Sequence, residues 1–387
     1  MNCSNNGDLL RKYLNGTTNA DEEKAFEEHI AGCETCQQQL DTHLASAERN
    51  AVIRDKAQLD ALPKEQHKRI IQKAKWRNRL SNLLTGIGFL IILGCLSFIL
   101  TFFYYEIGDK SERARLTIET LTQMTMPNVY VGQSYDEVNT FFNADIKGNL
   151  NKLVGMEEQV IGDLEGKMIF NQLNVNRDWI NGTYKEKLYF LNTKSSEAAS
   201  VENVAWKTLD KLPEGTVAEL AVTFNETMTL EGFYELIQPY EVRPAWYGIN
   251  TGNIASPEIP YIFALNGAIG MHEQALYNFM LDESTFIQGT KSEQYEYAFK
   301  YALQFLSNNE KYVKAYGTWL NEDARDFEAQ LQYVEKNGIK LYGAVITGPT
   351  EELLKLQSNN RIIFATVGEV DFWNWHEPPD MSFSFTN

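Results

Sequence analysis

The chain has 387 residues, 43% of them apolar and 22% charged, which suits two or three domains and is too apolar for a disordered chain. Its 35 Lys and Arg against 52 Asp and Glu give a net charge of -17, and phosphate contacts need clustered cations, so direct nucleic-acid binding is a poor fit. Four Cys in this length exclude a disulfide scaffold.

The first fifty residues have helical spacing. Leu9, Leu10, Tyr13 and Leu14 follow Asp8, a candidate N-cap, and Asn15-Gly16 ends that helix. Asn19 reads as the N-cap of a second helix, with Asp21, Glu22 and Glu23 in its first turn and Phe26 and Ile30 on its apolar face. Gly32 breaks it, and a third helix starts near Cys33 and buries Leu40, Leu44 and Ala47.

Helices this short bury little apolar area, and a domain of this size usually needs a staple. His29-x3-Cys33-x2-Cys36 offers one: imidazole and two thiolates suit Zn2+, and a helix N-terminus favours thiolate over thiol. Cys3 is the best fourth ligand, with His43 the competitor. A redox pair is the weaker reading of the two Cys, because no thioredoxin-like βαβ pattern surrounds them.

Residues 47–79 read as helical, with Val52, Ile53, Leu59 and Leu62 apolar and Pro63 at a plausible first helical position. A lone amphipathic helix between a small domain and a membrane leaves its apolar stripe to a partner, and the following cations suit anionic headgroups.

Leu80 to Tyr105 carries no charge. At 1.5 Å per residue it covers roughly 39 Å, more than the ~30 Å hydrocarbon core, with Tyr104 and Tyr105 where an aromatic belt is expected. Gly86, Gly88, Gly94 and Ser97 within it fit either local loosening or ordinary helix packing. Seven Lys and Arg crowd positions 64–79, while the C-terminal flank is mixed, so the positive-inside rule places residues 1–79 in the cytoplasm and 106–387 outside. Residues 106–387 contain no Cys, in keeping with that sidedness.

Beyond the span, residues 106–123 read as a short helical stalk, and NVYVGQSYDEV, Met168–Phe170 and Lys187–Leu191 as extended. Val217–Phe224 reads as a strand, Thr229 as the cap of a helix through Ile237, and Val242–Ile249 as a strand. The pattern recurs in Lys340–Ile346, Thr350–Leu356 and Ile362–Val370, with helical segments at Glu293–Leu306 and Asp323–Lys336 between the two passes. Two β-α-β passes suggest an α+β domain, ferredoxin-like with insertions. No catalytic constellation is visible, so no enzyme is expected. His272 and His376 are single, and Trp246, Tyr247, Trp373 and Trp375 fit core packing better than a ligand groove.

DLLRKYLNG followed by NADEEKAFEEHIAGCETC resembles the zinc-binding anti-sigma domain. KAKWRNRLSNLL through NVYVGQSY resembles the N-terminal sigma-factor-regulator region of Gram-positive bacteria, and TVAELAVTFNETMTLEGFYELI with VRPAWYGINTG resembles the C-terminal one. The resemblance implies Zn2+ held by Cys3, His29, Cys33 and Cys36, and an extracytoplasmic-function sigma factor as the partner. It implies contacts from Leu9, Tyr13, Leu14, Leu40 and Leu44, and from Val52, Ile53, Leu59 and Leu62 as the next helix wraps the partner. Release would follow an extracytoplasmic signal, supplied by a ligand, a membrane partner or a protease. The expected organisation is a multidomain chain: an all-α zinc-stapled head (1–50), a helical partner-binding and juxtamembrane linker (51–79), a transmembrane helix (80–105), a stalk with the N-terminal regulator region (106–195) and a C-terminal α+β domain (196–387). The rivals are a membrane sensor or scaffold whose zinc head holds another cytoplasmic protein, and an exported wall-binding domain.

Overall fold

A computed structural model of the chain describes residues 7–60, 63–252, 256–274 and 290–376. It divides into two compact units, Met1–Ile92 and Leu93–Asn387.

The first unit is helical. Helix α1 (Gly7–Leu14) begins one residue ahead of Asp8, so Asp8 lies in its first turn, where its charge complements the helix dipole, and is not the cap. Gly16 takes a positive φ of 66°, which turns the chain out of α1. Helix α2 (Ala20–Gly32) is capped as its sequence suggests: the Asn19 side chain accepts from the Glu22 amide at 2.8 Å, and the Glu22 carboxylate accepts from the Asn19 amide at 3.2 Å. Helix α3 (Glu34–Asp60) has no Gly or Pro and runs unbroken through position 50, where the reading above placed a domain edge. Pro63 then stands just before helix α4 (Lys64–Glu106). The basic stretch and the uncharged stretch form this one helix of 43 residues, roughly 64 Å long. Almost none of its most apolar stretch is buried.

The second unit opens with helix α5 (Lys110–Thr125). The stalk reading is corrected here. Ala114, Ile118, Leu121 and Met124 of α5 are all fully buried, and the Trp246 indole N–H donates to the Gln123 carbonyl at 2.9 Å. This helix is therefore part of the hydrophobic core. Four antiparallel strands follow in sequential order: β1 (Val129–Val138), β2 (Asn143–Val154), β3 (Glu157–Ile169) and β4 (Gln172–Trp179). Strand β5 (Phe190–Leu191) pairs with β8 (Tyr261–Ile262), and α6 (Ala205–Leu209) lies between them in the chain.

The remaining strands form a five-stranded antiparallel sheet. Strand β6 (Thr216–Met228) leads through α7 (Leu230–Ile237) to β7 (Arg243–Ile249), with β9 (Gly270–His272) beyond. Helices α8 (Lys291–Asn308), α9 (Glu310–Tyr316) and α10 (Phe327–Asn337) precede β10 (Leu341–Pro349), α11 (Thr350–Lys355) and β11 (Ile362–Phe372). The order is β11-β6-β10-β7-β9, so each β-α-β pass brackets a strand of the other. Thr229 caps α7, its hydroxyl accepting from the Gly232 amide at 3.2 Å.

Residues Thr216–Phe224 of β6 are buried throughout, Glu219 among them. Its carboxylate is paired with Lys152 of β2 at 2.7 Å, and it also accepts from the Asn128 amide group and from the Glu369 backbone N–H at 2.7 Å. Lys152 is itself buried, so β2 and β6 are joined by a desolvated charge pair whose carboxylate accepts on both oxygens. Close by, His272 donates through Nε2 to Asn128 Oδ1 at 3.1 Å, while its Nδ1 accepts from the Gln274 amide at 3.2 Å. Burial, and the Arg243 charge after it, push the His272 pKa down to about 3 and keep the ring neutral.

Replacing Lys152 by Met strands the Glu219 charge and should destabilise the second unit by about 3–5 kcal/mol, with Lys152→Met/Glu219→Leu recovering most of it; urea titration followed by Trp fluorescence measures both. His272 has a folded pKa below its unfolded value, so the unfolded chain takes up the extra proton in acid. Stability should fall as pH drops from about 6.5 toward 3, and His272→Gln should flatten that slope by up to about 1.4 kcal/mol per pH unit in the same titration.

Candidate metal centre

The joint between α2 and α3 is where the donors meet. Cys33 has an extended backbone (φ -125°, ψ 99°) that ends α2 and sets up the first turn of α3. Its amide donates to the Ile30 carbonyl at 3.3 Å, and the Gln37 side chain, one turn into α3, donates to the same carbonyl at 2.8 Å. The joint is thus fastened from both helices. His29 sits on the last turn of α2, Cys33 at the start of α3 and Cys36 on its first turn.

The ligand atoms of His29, Cys33 and Cys36 all lie within 4.8 Å of one another, with His29 Nε2 and Cys36 Sγ 3.5 Å apart. A tetrahedral zinc with Zn–S near 2.3 Å and Zn–N near 2.0 Å has an S···N edge of about 3.6 Å, so this separation fits the ion. The two sulfurs also sit at the N-terminus of α3, where the unsatisfied N–H groups favour thiolate. Cys36 is buried and the other two are half-buried, which is the burial of a structural site at the edge of a small core. Chemically the trio suits closed, structural coordination with a fourth donor. Cys3 lies outside the described residues, and among the described ones His43 does not join the group.

Around this joint the core is minimal. Leu10, Phe26 and Cys36 are buried, and Tyr13 packs on Phe26 with ring centroids 4.9 Å apart. Leu10 and Phe26 are the residues that brace the site. The spacing of both was visible in the sequence, but Leu10 was not separated from its neighbours Leu9 and Leu14.

The residues assigned to a partner divide by exposure. Leu9, Tyr13 and Leu40 are half-buried, whereas Leu14, Leu44 and Ile53 are exposed, at 37%, 50% and 64%. Leu44 and Ala47 were read as core, and both are corrected: every residue from Asp41 to Asn50 is exposed. Helix α3 outruns α1 and α2, and among the described residues none covers it that far along. Val52 and Leu59 fall on α3 with side chains outside the described set, and Leu62 lies outside the described residues. In the second unit Trp246 and Tyr247 are fully buried, as core packing requires, while Trp373 is exposed.

With the donors brought together, Cys36→Ser should remove both bound metal and helical content. Zinc analysis of the purified chain should fall from about one ion per chain to well below it, and far-UV circular dichroism should show the head unfold.

Comparison with known proteins places these parts in order. The family described as "Putative zinc-finger" matches residues 8–37, "Sigma factor regulator N-terminal" matches 68–159 and "Sigma factor regulator C-terminal" matches 209–369. A relative from Bacillus subtilis (strain 168), described as "Probable anti-sigma-M factor YhdL", is 28% identical over 379 residues, covering 94% of this chain and 97% of its own length. No solved structure matches the chain at a significant level. A zinc-finger region followed by two sigma-factor-regulator regions, with a relative matched end to end, is the make-up of a zinc-finger anti-sigma factor.

Proposed function

We propose that this chain is a single-span membrane anti-sigma factor that holds an extracytoplasmic-function sigma factor against the inner face of the membrane. The observation that carries this reading is the convergence of His29, Cys33 and Cys36 beside a long helix whose described side chains beyond Leu40 are exposed. The span is α4. Its length, its apolar composition and its near-complete exposure suit a bilayer, and the seven cations at 64–79 favour a cytoplasmic amino end.

Zinc, when bound, supplies a cross-link between segments that too little burial holds together. Cys3 is the fourth ligand in this reading. His29, Cys33 and Cys36 fix the angle between α2 and α3, and with it where Leu14, Leu44 and Ile53 are offered to a partner that wraps the helix. Helix α3 then lies along the sigma factor. Covering the surfaces by which that protein engages RNA polymerase keeps it inactive by mass action.

The outer domain is read as the receiver of the releasing signal, whether ligand, membrane partner or protease. We take the passes β6–α7–β7 and β10–α11–β11 as a ferredoxin-like unit, which the order β11-β6-β10-β7 supports. A regulatory chain of this kind needs no catalytic site.

Full-length protein in nanodiscs should co-purify with one sigma factor of its own organism at micromolar affinity or tighter. Leu44→Asp with Ile53→Asp should weaken that binding by at least about tenfold with the metal content unchanged, measured by biolayer interferometry. Failure of every sigma factor of that organism to bind would refute the reading.

A further inference from the structure

The top of α4 is not bare. Two turns of the four-stranded sheet lie against it: the β1–β2 turn, with Phe141 and Phe142, and the β3–β4 turn, with Phe170. The Phe141 amide donates to Ser97 Oγ at 2.8 Å and the Phe142 amide donates to Thr101 Oγ1 at 2.9 Å. Tyr105 donates to the Phe142 carbonyl at 2.9 Å, and the Phe170 amide donates to that same carbonyl at 2.9 Å. The rings of Tyr104, Phe142 and Phe170 form one cluster, with Phe142 and Phe170 stacked at 4.6 Å.

These contacts fix a depth. Ser97 lies seven residues below Tyr104 on the helix, or about 10 Å. Charge resumes at Glu106, and Lys110, the first cation after the span, folds back over the Tyr104 ring and donates to the Tyr104 carbonyl at the same level. Phe141 is bonded to a residue well inside that boundary.

The turns are made for such a place. Residues 138–144 and 168–176 carry no charge. Phe141, Ile169 and Phe170 are 58%, 53% and 49% exposed. Phe141, Phe142 and Phe170 all have φ between 53° and 58°, an unfavourable region for residues with a side chain. Backbone groups that a turn normally leaves to water are taken up instead: by Ser97, Thr101 and Tyr105, and by Asn143, whose side chain donates to the Thr140 and Phe141 carbonyls at 3.0 Å. Even Asn171 accepts from the Tyr104 hydroxyl at 3.0 Å. Hydrocarbon demands that backbone be satisfied inside the protein.

We propose that these two turns are a membrane-inserted wedge, with Phe141, Ile169 and Phe170 in the acyl region of the leaflet on the outer-domain side. The proposal rests on the reading of α4 as a membrane span. It makes the lipid surface a second attachment of the outer domain beside the helix, and it assigns Ser97 and Thr101 the role of seating the wedge.

Photolysis of the full chain in nanodiscs whose phospholipids carry a diazirine in mid-acyl chain tests it, with adducts mapped by mass spectrometry. The expected result is labelling of α4 and of the peptides around Phe141 and Phe170. Those peptides should exceed by at least about tenfold the pair Phe372–Trp373, which is equally apolar and exposed but lies near the far end of the β2–β3 hairpin, about 36 Å from the turns. Labelling of α4 with the turns no higher than Phe372–Trp373 would overturn the wedge and leave the span standing. Absence of labelling on α4 itself would overturn the span, and the wedge with it.

Discussion

Too little burial is the condition on which the helical head is built. Among its described residues Leu10, Phe26 and Cys36 are buried, against three helices whose ordering costs roughly 1–2 kcal/mol per residue in backbone entropy. One of those three side chains, Cys36, also belongs to the candidate metal cluster, so the core and the candidate site share a residue. Local signals agree with this arrangement: the Asn19–Glu22 capping box starts α2, Gly32 ends it, and the Cys33 backbone turns into α3.

The second unit solves the opposite problem. It buries so much that charge is carried inside, and Glu219 is tied to Lys152, Asn128 and the Glu369 amide in one network. That network crosses from the four-stranded sheet to the five-stranded one, while α5 lines the core beside them. The two sheets are thus joined by polar groups that have no partner in water, which specifies their register more sharply than apolar contact alone would.

Legibility in the sequence followed the strength of local pattern. The two β-α-β passes could be placed within a few residues because β6 and β10 are buried on both faces and read as continuous apolar runs, and because Thr229 caps a helix where a strand ends. The β2–β3 hairpin was hidden because its inward face carries glycines. Gly162 and Gly166 alternate with Leu164 and Met168, and a Cβ at Gly162 would stand 2.7 Å from the Asp178 carbonyl oxygen. Close approach of the neighbouring strand requires Gly there, and Gly erases the apolar alternation that marks a strand. Helix α5 was mistaken for a stalk because Thr, Glu and Gln interrupt its apolar residues; the Thr hydroxyls bond back to carbonyls one turn earlier and so tolerate burial. In the head, the His29, Cys33 and Cys36 donors were legible from spacing alone. The exposure of Leu44 was not, since it depends on how far α1 and α2 reach along α3. Glu219 within TVAELAVTF was a signal left unused: a lone carboxylate in a buried run requires a cation, and Lys152 is distant in the chain.

The clamp on the upper turns of α4 has a mechanical side. From Leu93 onward the helix clusters with the second unit, and Ser97, Thr101 and Tyr105 are splinted by three bonds to one turn of the sheet. A splinted rod cannot flex along the splint. Compliance is left to the stretch before Leu93, where Gly86 and Gly88 have no neighbouring atoms within 4 Å of where a Cβ would stand and where each glycine weakens the helix by about 1 kcal/mol relative to Ala. The two stretches of one helix thus differ in stiffness, the one held by three side-chain bonds and the other left to its own backbone.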